Sequence, residues 1–577
     1  MTRHVLQTSY SGTLADRLDM WVGLQPEKPA LVYLDDGECE TDRWSFAALR
    51  REARKVAGLL RTIGAAGRPV LLVFPPGLAF VAALYGCLNA GAIAVPVPSL
   101  GGKRGSTRLA AIAQDARPVA ALTTAAMIAR GAMKHADALR AVSAIATDGL
   151  EDPADFERHA VAPDSVALLQ YTSGSTSEPK GVAVTHSALM ANLEMLRAAQ
   201  QVDHNSVYVS WLPLFHDMGL IGVVLEALFA GAMTVLMPPL AFLQRPARWL
   251  AAIDRYRATI SGGPNFAFDL CARRHNPDTW PRFDLSSWQV AFCAAEPVRA
   301  ETLHRFAATF SAHGFRAAAL YPAYGLAEAS VFVSGGEVGA GVKTMLPLEQ
   351  AHVAEAAPGL ERRVVSCGRG WHDETILIVD PDSRRERCEG ETGEIWISGR
   401  NVAAGYWNRP AATLETFGAR LPDRQGRAFL RTGDLGFVSD GELYVVGRMK
   451  DLLIVNGTSL HPQDVEDAIA ASHPAFAARG AAFGIDHDRG EQVVAAHEIA
   501  RSALSEDLSP ALAAAFAAVG HETGVRLFDL VLVRPGGIPL TTSGKVRRSK
   551  CRELYTSDRL PIVTPTSDHP WLGKYRQ

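Results

Sequence analysis

The run YTSGSTSEPKGV, Tyr171–Val182, follows the apolar stretch Ser165–Leu169 and precedes a helical pattern that starts near Thr185. Strand, small-residue loop and helix in succession are the building unit of an α/β layer. Eight of the first nine residues are Thr, Ser, Gly, Glu or Pro, and Lys180 sits directly before Gly181. The N–H and O–H donors of such a loop wrap around phosphate oxygens, and the lysine adds a point charge. A Walker loop needs glycine directly before its lysine, and Pro179 stands there instead. A solvated Ser/Gly linker has a similar composition. The phosphate reading therefore depends on partners elsewhere in the chain.

A chain of 577 residues is too long for one hydrophobic core, so two or more domains are expected. The net charge of −3 argues against a nucleic-acid binder driven by bulk charge. Seven scattered cysteines without a CxxC pair fit reduced thiols in a cytoplasm better than a disulfide framework or a zinc site. The N-terminal MTRHVLQTSYSG lacks the apolar core of a signal peptide. From Pro69 to Gly102 no residue is charged, which is long enough to span a bilayer. Pro75, Pro76, Gly77, Pro96 and Pro98 break that run, so it is read as strand Val70–Phe74, helix Leu78–Asn89 and strand Ala92–Val95 in a buried parallel sheet. No membrane span is expected.

Strand-like and amphipathic runs alternate over the first 440 or so residues: Ala30–Leu34, Ser206–Ser210, Met233–Met237 and Ala317–Leu320 are strands by pattern, Phe46–Leu60 (N-cap Ser45) and Thr185–Ala199 helices. This predicts an α/β fold. From Thr375 the texture turns to short strands, Ile376–Val379, Gly393–Ile397 and Glu442–Val446. After Gly447 a new αβ segment begins, with Pro462 in the first turn of a helix carrying Val465 and Ile469. The domain boundary is placed at Gly447–Asp451.

Four further segments carry chemistry. In YPAYGLAE (Tyr321–Glu328), Tyr324 suits stacking on a purine, and Glu328 is a hard oxygen ligand of the kind Mg²⁺ takes beside substrate phosphates. A core tyrosine and a solvated glutamate would look the same. In RTGDLG (Arg431–Gly436), Asp434 accepts hydrogen bonds only, which suits adjacent ribose hydroxyls, although Asp between glycines is also ordinary turn chemistry. In GRMKDLLIVNG (Gly447–Gly457), Arg448 has reach toward ribose or phosphate, and Lys450-Asp451 falls where a hinge would absorb a dihedral change; an exposed charged turn is the alternative. In PLTTSGKVRR (Pro539–Arg548), Lys545 follows Ser543-Gly544, and a cation there suits an attack between two anions. The competing reading is a solvated basic face.

In this order and spacing the five segments resemble the adenylate-forming superfamily, which includes acyl-CoA synthetases, luciferases, peptide-synthetase adenylation domains and fatty acyl-AMP ligases. The likeness runs from about Ser11 to Tyr555 and is strongest to the fatty acyl-AMP ligases, through WLPLFHDMGLIG (Trp211–Gly222), YGLAEASVFVSGG (Tyr324–Gly336), NVAAGYWNRP (Asn401–Pro410) and LHPQDVE (Leu460–Glu466). Glu328 and Gly368 are 40 positions apart, where acyl-CoA synthetases usually take roughly half that. The extra segment, about 336–366, matches the ligase insertion thought to hamper the conformer that accepts coenzyme A.

The resemblance implies a large N-terminal domain, 1–447, of layered α/β subdomains with a distorted β-barrel-like subdomain over about 375–447. A small mobile α+β lid, 448–577, would follow, hinged at Lys450. It implies ATP and Mg²⁺ as cofactors. Thr172, Ser173, Gly174, Ser175, Thr176 and Lys180 would hold phosphates, and Thr176 with Glu328 the metal. Ala295, Glu296 and Pro297, with Tyr324, Gly325, Leu326 and Ala327, would frame adenine. Asp434 and Arg448 would hold the ribose, and Lys545 would be the catalytic lysine. His216 would act at the acyl entrance, and Gly262, Gly263 and Phe268 of SGGPNFAF would line the acyl pocket. The implied activity joins a fatty acid to AMP and passes the acyl group to the phosphopantetheine thiol of a separate acyl carrier protein. The chain would be cytoplasmic, a monomer or weak dimer, with no nucleic-acid partner and no fused carrier domain. An acyl-CoA synthetase or a non-catalytic acyl-adenylate sensor are the alternatives, the latter at odds with the presence of Lys545, Glu328 and Asp434. The chain departs from the family pattern at Ser177-Glu178, at Cys293-Ala294 in place of Asn-Gly, and at Thr458–His461.

Overall fold

The computed structural model describes residues 12–98, 102–130, 142–172, 179–347, 363–422, 424, 426–455, 458–487, 490–541 and 545–563. Their backbone groups into two compact units. One takes in the described parts of 1–350, 362–432 and 436–446, the other those of 433–435 and 447–577.

The charge-free stretch folds as its breakers predict. Strand Pro69–Leu72, helix Leu78–Ala90 and strand Ile93–Pro96 follow one another, and the two strands pair in parallel. Both strands are entirely buried, which is why they read as continuous apolar runs rather than alternating ones. They sit centrally in a six-stranded sheet ordered Ser143–Ala146, Ala120–Thr123, Pro69–Leu72, Ile93–Pro96, Val166–Thr172, Lys180–Thr185. Helix Phe46–Thr62 packs against helix Leu78–Ala90 and buries Phe46, Leu49, Ala53, Val56 and Leu60, a single helical stripe capped by the Ser45 hydroxyl, which accepts from Ala48 N–H at 3.2 Å. Among the described residues no helix is long and apolar enough to cross a membrane.

A nine-stranded sheet is parallel through Leu320–Tyr324, Val290–Cys293, Ile260–Gly263, Val207–Ser210, Met233–Leu236 and Pro29–Leu34, with antiparallel strands at both edges. Two sequence expectations need correction. Ala317–Leu320 is not a strand. Ala317–Ala319 make a 3₁₀ turn and the strand begins at Leu320, because alanine favours strands poorly and the aromatic run LYPAY favours them well. The hydroxyl-rich loop does not lead straight into a helix either. GVAVT forms strand Lys180–Thr185, antiparallel to Val166–Thr172, and helix His186–Ala199 starts only after Thr185 has capped it. The β-rich segment expected as a distorted barrel is, among the described residues, a four-stranded sheet of Thr375–Val379, Gly393–Ser398, Leu430–Ser439 and Glu442–Arg448.

The segment read from the sequence as an insertion, about 336–366, has an anchored base. Thr344–Met345 pairs antiparallel with Val364–Val365, and Glu442 accepts from Lys343 Nζ and, at 2.7 Å, from the Ser366 hydroxyl. Residues 348–362 of the insertion lie outside the described residues.

In the second unit, strands Phe476–His487, Gly490–Ile499 and Asp529–Val533 form a sheet against helices Pro462–Ser472 and Ser509–Thr523, with Val465 and Ile469 fully buried. The basic run at the C-terminal end is not a solvated face throughout. Arg548 makes a bidentate pair with Glu466 at 2.6 and 2.8 Å and reaches Asp451 at 3.2 Å, with only 16% of its side chain exposed.

One buried acid has a measurable consequence. The stretch from Asp217 to Ala230 is helical, with Leu220–Leu225 wound as a π-helix. Glu226 follows that segment, fully buried, with neither carboxyl oxygen hydrogen-bonded among the described residues. The hydroxyls of Tyr208 and Thr234, cross-strand neighbours, are also buried with no hydrogen-bond partner among the described residues. Burial drives the Glu226 pKa well above the carboxylate range. Arg197 and Arg17 oppose that rise and Glu194 adds to it. The folded chain therefore binds more protons than the unfolded one above the ordinary Glu pKa. Its stability falls by about 1.4 kcal/mol per pH unit until the folded pKa is reached. Glu226→Gln removes this loss. Its melting temperature is expected to rise relative to the parent as pH goes from about 5 to about 8. An offset that stays constant over that range would show the acid ionised in the fold.

Candidate active site

Glu328 is held by a loop folded back on itself. Strand Leu320–Tyr324 is buried along its length and leads through Gly325 into the 3₁₀ turn Ala327–Ala329. A Cβ on Gly325 would overlap the Val331 carbonyl, so this close return of the chain requires glycine. Asn192, fully buried on helix His186–Ala199, clamps the return: its amide donates to the carbonyls of Ala329 (3.2 Å) and Phe332 (2.7 Å), and its carbonyl accepts from Phe332 N–H (3.1 Å). The segment NVAAGYW closes the other side. Ala403 N–H donates to the Glu328 carbonyl (2.9 Å), the Ser330 hydroxyl to the Asn401 carbonyl (2.8 Å), and the Tyr406 hydroxyl to Glu328 Oε1 (2.8 Å).

Tyr406 also meets Lys180. The ammonium lies 4.8 Å from the Tyr406 ring centroid, over its face, in cation–π geometry. Lys180 pairs directly with Thr172, so these two residues stand at the two mouths of the loop. Ser173, Gly174, Ser175, Thr176 and the departure Ser177-Glu178 lie outside the described residues. Burial, and then the neighbouring Glu328, push the Tyr406 phenol pKa upward, so it remains a donor. Asn192, Asn401 and Tyr406 were given no role by sequence reasoning. The available signal was the single aromatic following glycine in NVAAGYWNRP.

The adenine-frame residues divide. Strand Val290–Cys293 ends in a buried Cys293, and Ala295 is left-handed at φ 72°, a strained conformation for a residue with a β-carbon. Glu296 is committed elsewhere: its carboxylate accepts from Phe266 N–H at 2.6 Å, which places a negative charge on the first turn of helix Asn265–Arg274. Pro297 is exposed. Tyr324 is buried at 9% exposure, packed with Val333, Ile378 and Ile395.

The acyl-side predictions need one correction. Phe268 is fully buried in an aromatic core with Trp249, Trp288 and Phe306 at centroid distances of 5.7, 6.4 and 5.0 Å, so it supports a wall rather than lining a pocket. Gly262 lets Phe292 approach, and a Cβ on Gly263 would stand 2.9 Å from the Trp211 ring. Phe266, partly buried and edge-on to Trp211 at 5.9 Å, is the aromatic of SGGPNFAF nearest this surface. His216 caps the helical stretch that begins at Asp217, and its Nδ1 lies 2.7 Å from Asp217 Oδ1. Just before it, Leu212–Phe215 line an apolar pocket of about 500 Å³, open mouth included, with Tyr33, Phe74, Phe80 and Met237.

The second unit carries the remaining residues. Asp434 is 5% exposed and accepts from Arg448 Nε at 2.9 Å. Lys450 lies in the 3₁₀ turn Met449–Asp451, whose Asp451 is held by Arg548. Lys545 is fixed through its backbone. Its N–H donates to the Thr541 hydroxyl (3.0 Å), and its carbonyl accepts from Thr541 N–H (2.7 Å).

Among the described residues no group of three or more His, Cys, Asp or Glu could hold a metal. One carboxylate beside phosphates is what Mg²⁺ needs, and Glu328, which accepts from the Tyr406 hydroxyl, has that chemistry.

Known proteins resemble this chain along most of its length. Residues 18–407 match the family described as AMP-binding enzyme. A medium-chain-fatty-acid–acyl-carrier-protein ligase of Moorena producens is 37% identical, over 95% of this chain and 96% of its own. A long-chain-fatty-acid–AMP ligase of Mycobacterium tuberculosis is 36% identical, over 96% of this chain and 98% of its own. The crystal structure of a fatty acyl-adenylate ligase from Legionella pneumophila, in complex with acyl adenylate and pyrophosphate, superposes with a TM-score of 0.75 at 35% identity, covering 98% of this chain and 99% of that one. The chain belongs to the AMP-binding enzymes, in their fatty acyl-AMP ligase branch.

Proposed function

We propose that this enzyme activates a fatty acid in two steps. The acid's carboxylate attacks the α-phosphorus of ATP, forming acyl-adenylate and releasing pyrophosphate. The phosphopantetheine thiol of a holo acyl carrier protein then attacks the acyl carbon, giving a thioester, AMP and a proton. The observation that carries this reading is the convergence of Lys180 and Glu328 on Tyr406, in a chain whose relatives are fatty-acid ligases.

Lys180 and the loop from Thr172 to Thr176 grip the phosphates that depart. Glu328, with Thr176, would hold Mg²⁺, which screens phosphate charge when bound. The adenine lies against Ala295 and the segment from Tyr324 to Ala327, and Asp434 with Arg448 takes the ribose hydroxyls. Lys545 offsets the charge that develops as two anions meet. His216 stands at the acyl entrance, and the apolar pocket beside it supports a hydrocarbon tail. The lid of 448–577 turns about Lys450 between the two steps, in the cytoplasm.

The test offers enzyme, ATP and a medium- to long-chain acid series to holo-carrier protein and, separately, to coenzyme A. Acyl-carrier product is expected with coenzyme A turnover near background. Efficient acyl-CoA formation would mark an acyl-CoA synthetase instead.

A further inference from the structure

We propose that Tyr406 is a positioning residue that holds the metal-binding carboxylate and the phosphate-binding lysine in one geometry, an assignment that rests on the roles given above to Glu328 and Lys180. Tyr406 acts through both ends of one rigid side chain. Its hydroxyl donates to Glu328 Oε1 at 2.8 Å, and its ring face receives the Lys180 ammonium at 4.8 Å. The phenol of Tyr406 thus touches the ammonium with its ring face and the carboxylate with its hydroxyl. A phenol between them satisfies each partly. A carboxylate has about four lone-pair sites, so one donated hydrogen bond leaves Glu328 able to bind a cation. A cation–π contact leaves the three N–H donors of Lys180 to phosphate oxygens.

The tyrosine is itself held firmly. Its N–H donates to the Thr413 hydroxyl at 2.9 Å, and that hydroxyl donates to its carbonyl at 3.3 Å. Phe417 meets the ring edge-on at 5.3 Å, so both contacts come from helix Pro410–Phe417. On the other side the backbone is stitched to the loop's second strand. Tyr406 bridges Val182, Trp407 N–H donates to the Gly181 carbonyl (2.8 Å), and Ala183 N–H to the Gly405 carbonyl (2.9 Å). A helix thus backs the ring and a strand sets its height, and two charged groups from distant parts of the sequence are indexed to it.

Tyr406→Phe keeps the ring for Lys180 and Phe417 and deletes the hydroxyl's bond to Glu328, together with its contact to Thr416. Binding of Mn²⁺ with a non-hydrolysable ATP analogue, followed by electron paramagnetic resonance without fatty acid, reads the site independently of turnover. The variant is expected to bind the metal–nucleotide about tenfold more weakly, the loss of one hydrogen bond to a charged group. Its KM for fatty acid should match wild type. Glu328→Gln should weaken binding at least as much, and the double variant no further than Glu328→Gln alone, because Tyr406 acts through that carboxylate. Wild-type affinity in Tyr406→Phe beside weak binding in Glu328→Gln overturns the positioning role and leaves the proposed function standing. Additive losses in the double variant overturn it too. Wild-type affinity in Glu328→Gln refutes the metal-ligand reading itself, and the positioning role with it.

Discussion

Lys545→Ala is expected to slow acyl-adenylate formation about a thousandfold while leaving transfer from a preformed acyl-adenylate within a few-fold of wild type. The first step brings a carboxylate against a polyphosphate, and charge accumulates around the α-phosphorus. One unit charge near 4 Å contributes roughly 4 kcal/mol at an effective dielectric of 20, which is about a thousandfold in rate. The second step brings a thiol to an acyl carbon and does not meet the same charge problem. The Lys545 backbone is pinned to Thr541 by two hydrogen bonds, at 3.0 and 2.7 Å. Pyrophosphate release with ATP and acid, beside thioester formation from synthetic acyl-adenylate, separates the steps. Equal loss in both would show that Lys545 supports the lid rather than the chemistry. An unchanged adenylation rate would refute its catalytic role.

Asp434→Ala is expected to lower kcat/KM for ATP about a hundredfold, chiefly through KM. A carboxylate that accepts two ribose hydroxyls contributes roughly 1.5–3 kcal/mol, the range for hydrogen bonds to a charged group. The 2.9 Å contact from Arg448 orients it, and burial to 5% exposure keeps water from competing. Asp434→Asn retains one oxygen acceptor, so a smaller loss is expected there. The acid's own KM should stay near wild type in both variants. A change in the acid's KM equal to that for ATP would place Asp434 in general packing. Initial-rate measurements with each substrate varied in turn decide between these outcomes.

Local chemistry was legible where a residue's neighbours in sequence are also its neighbours in space. The breakers around Leu78–Ala90 marked a strand–helix–strand unit, and Ser45 and Thr185 announced the starts of their helices. Legibility failed where composition and conformation disagree. Ala317–Ala319 resembled a strand end and is a 3₁₀ turn. GVAVT was absorbed into the approach to a helix and is a strand that puts Lys180 opposite Thr172. Phe268 read as pocket lining and lies fully buried in the aromatic core.

By itself the sequence determined the α/β class, the strand–helix–strand reading of the charge-free stretch, and the helix starts at Ser45 and Thr185. Each of these depends on periodicity, turn residues or short motifs, which act over a few neighbouring positions. Only the tertiary structure decided which of the chain's residues share a place. Lys180, Glu328 and Tyr406 are 226 positions apart at their widest, and no local pattern reports that a phenol stands between an ammonium and a carboxylate. That contact exists because Val182 bridges Tyr406 and Ala403 bonds Glu328. It is a product of strand pairing and loop closure, whose partners are set by the packing of the whole unit.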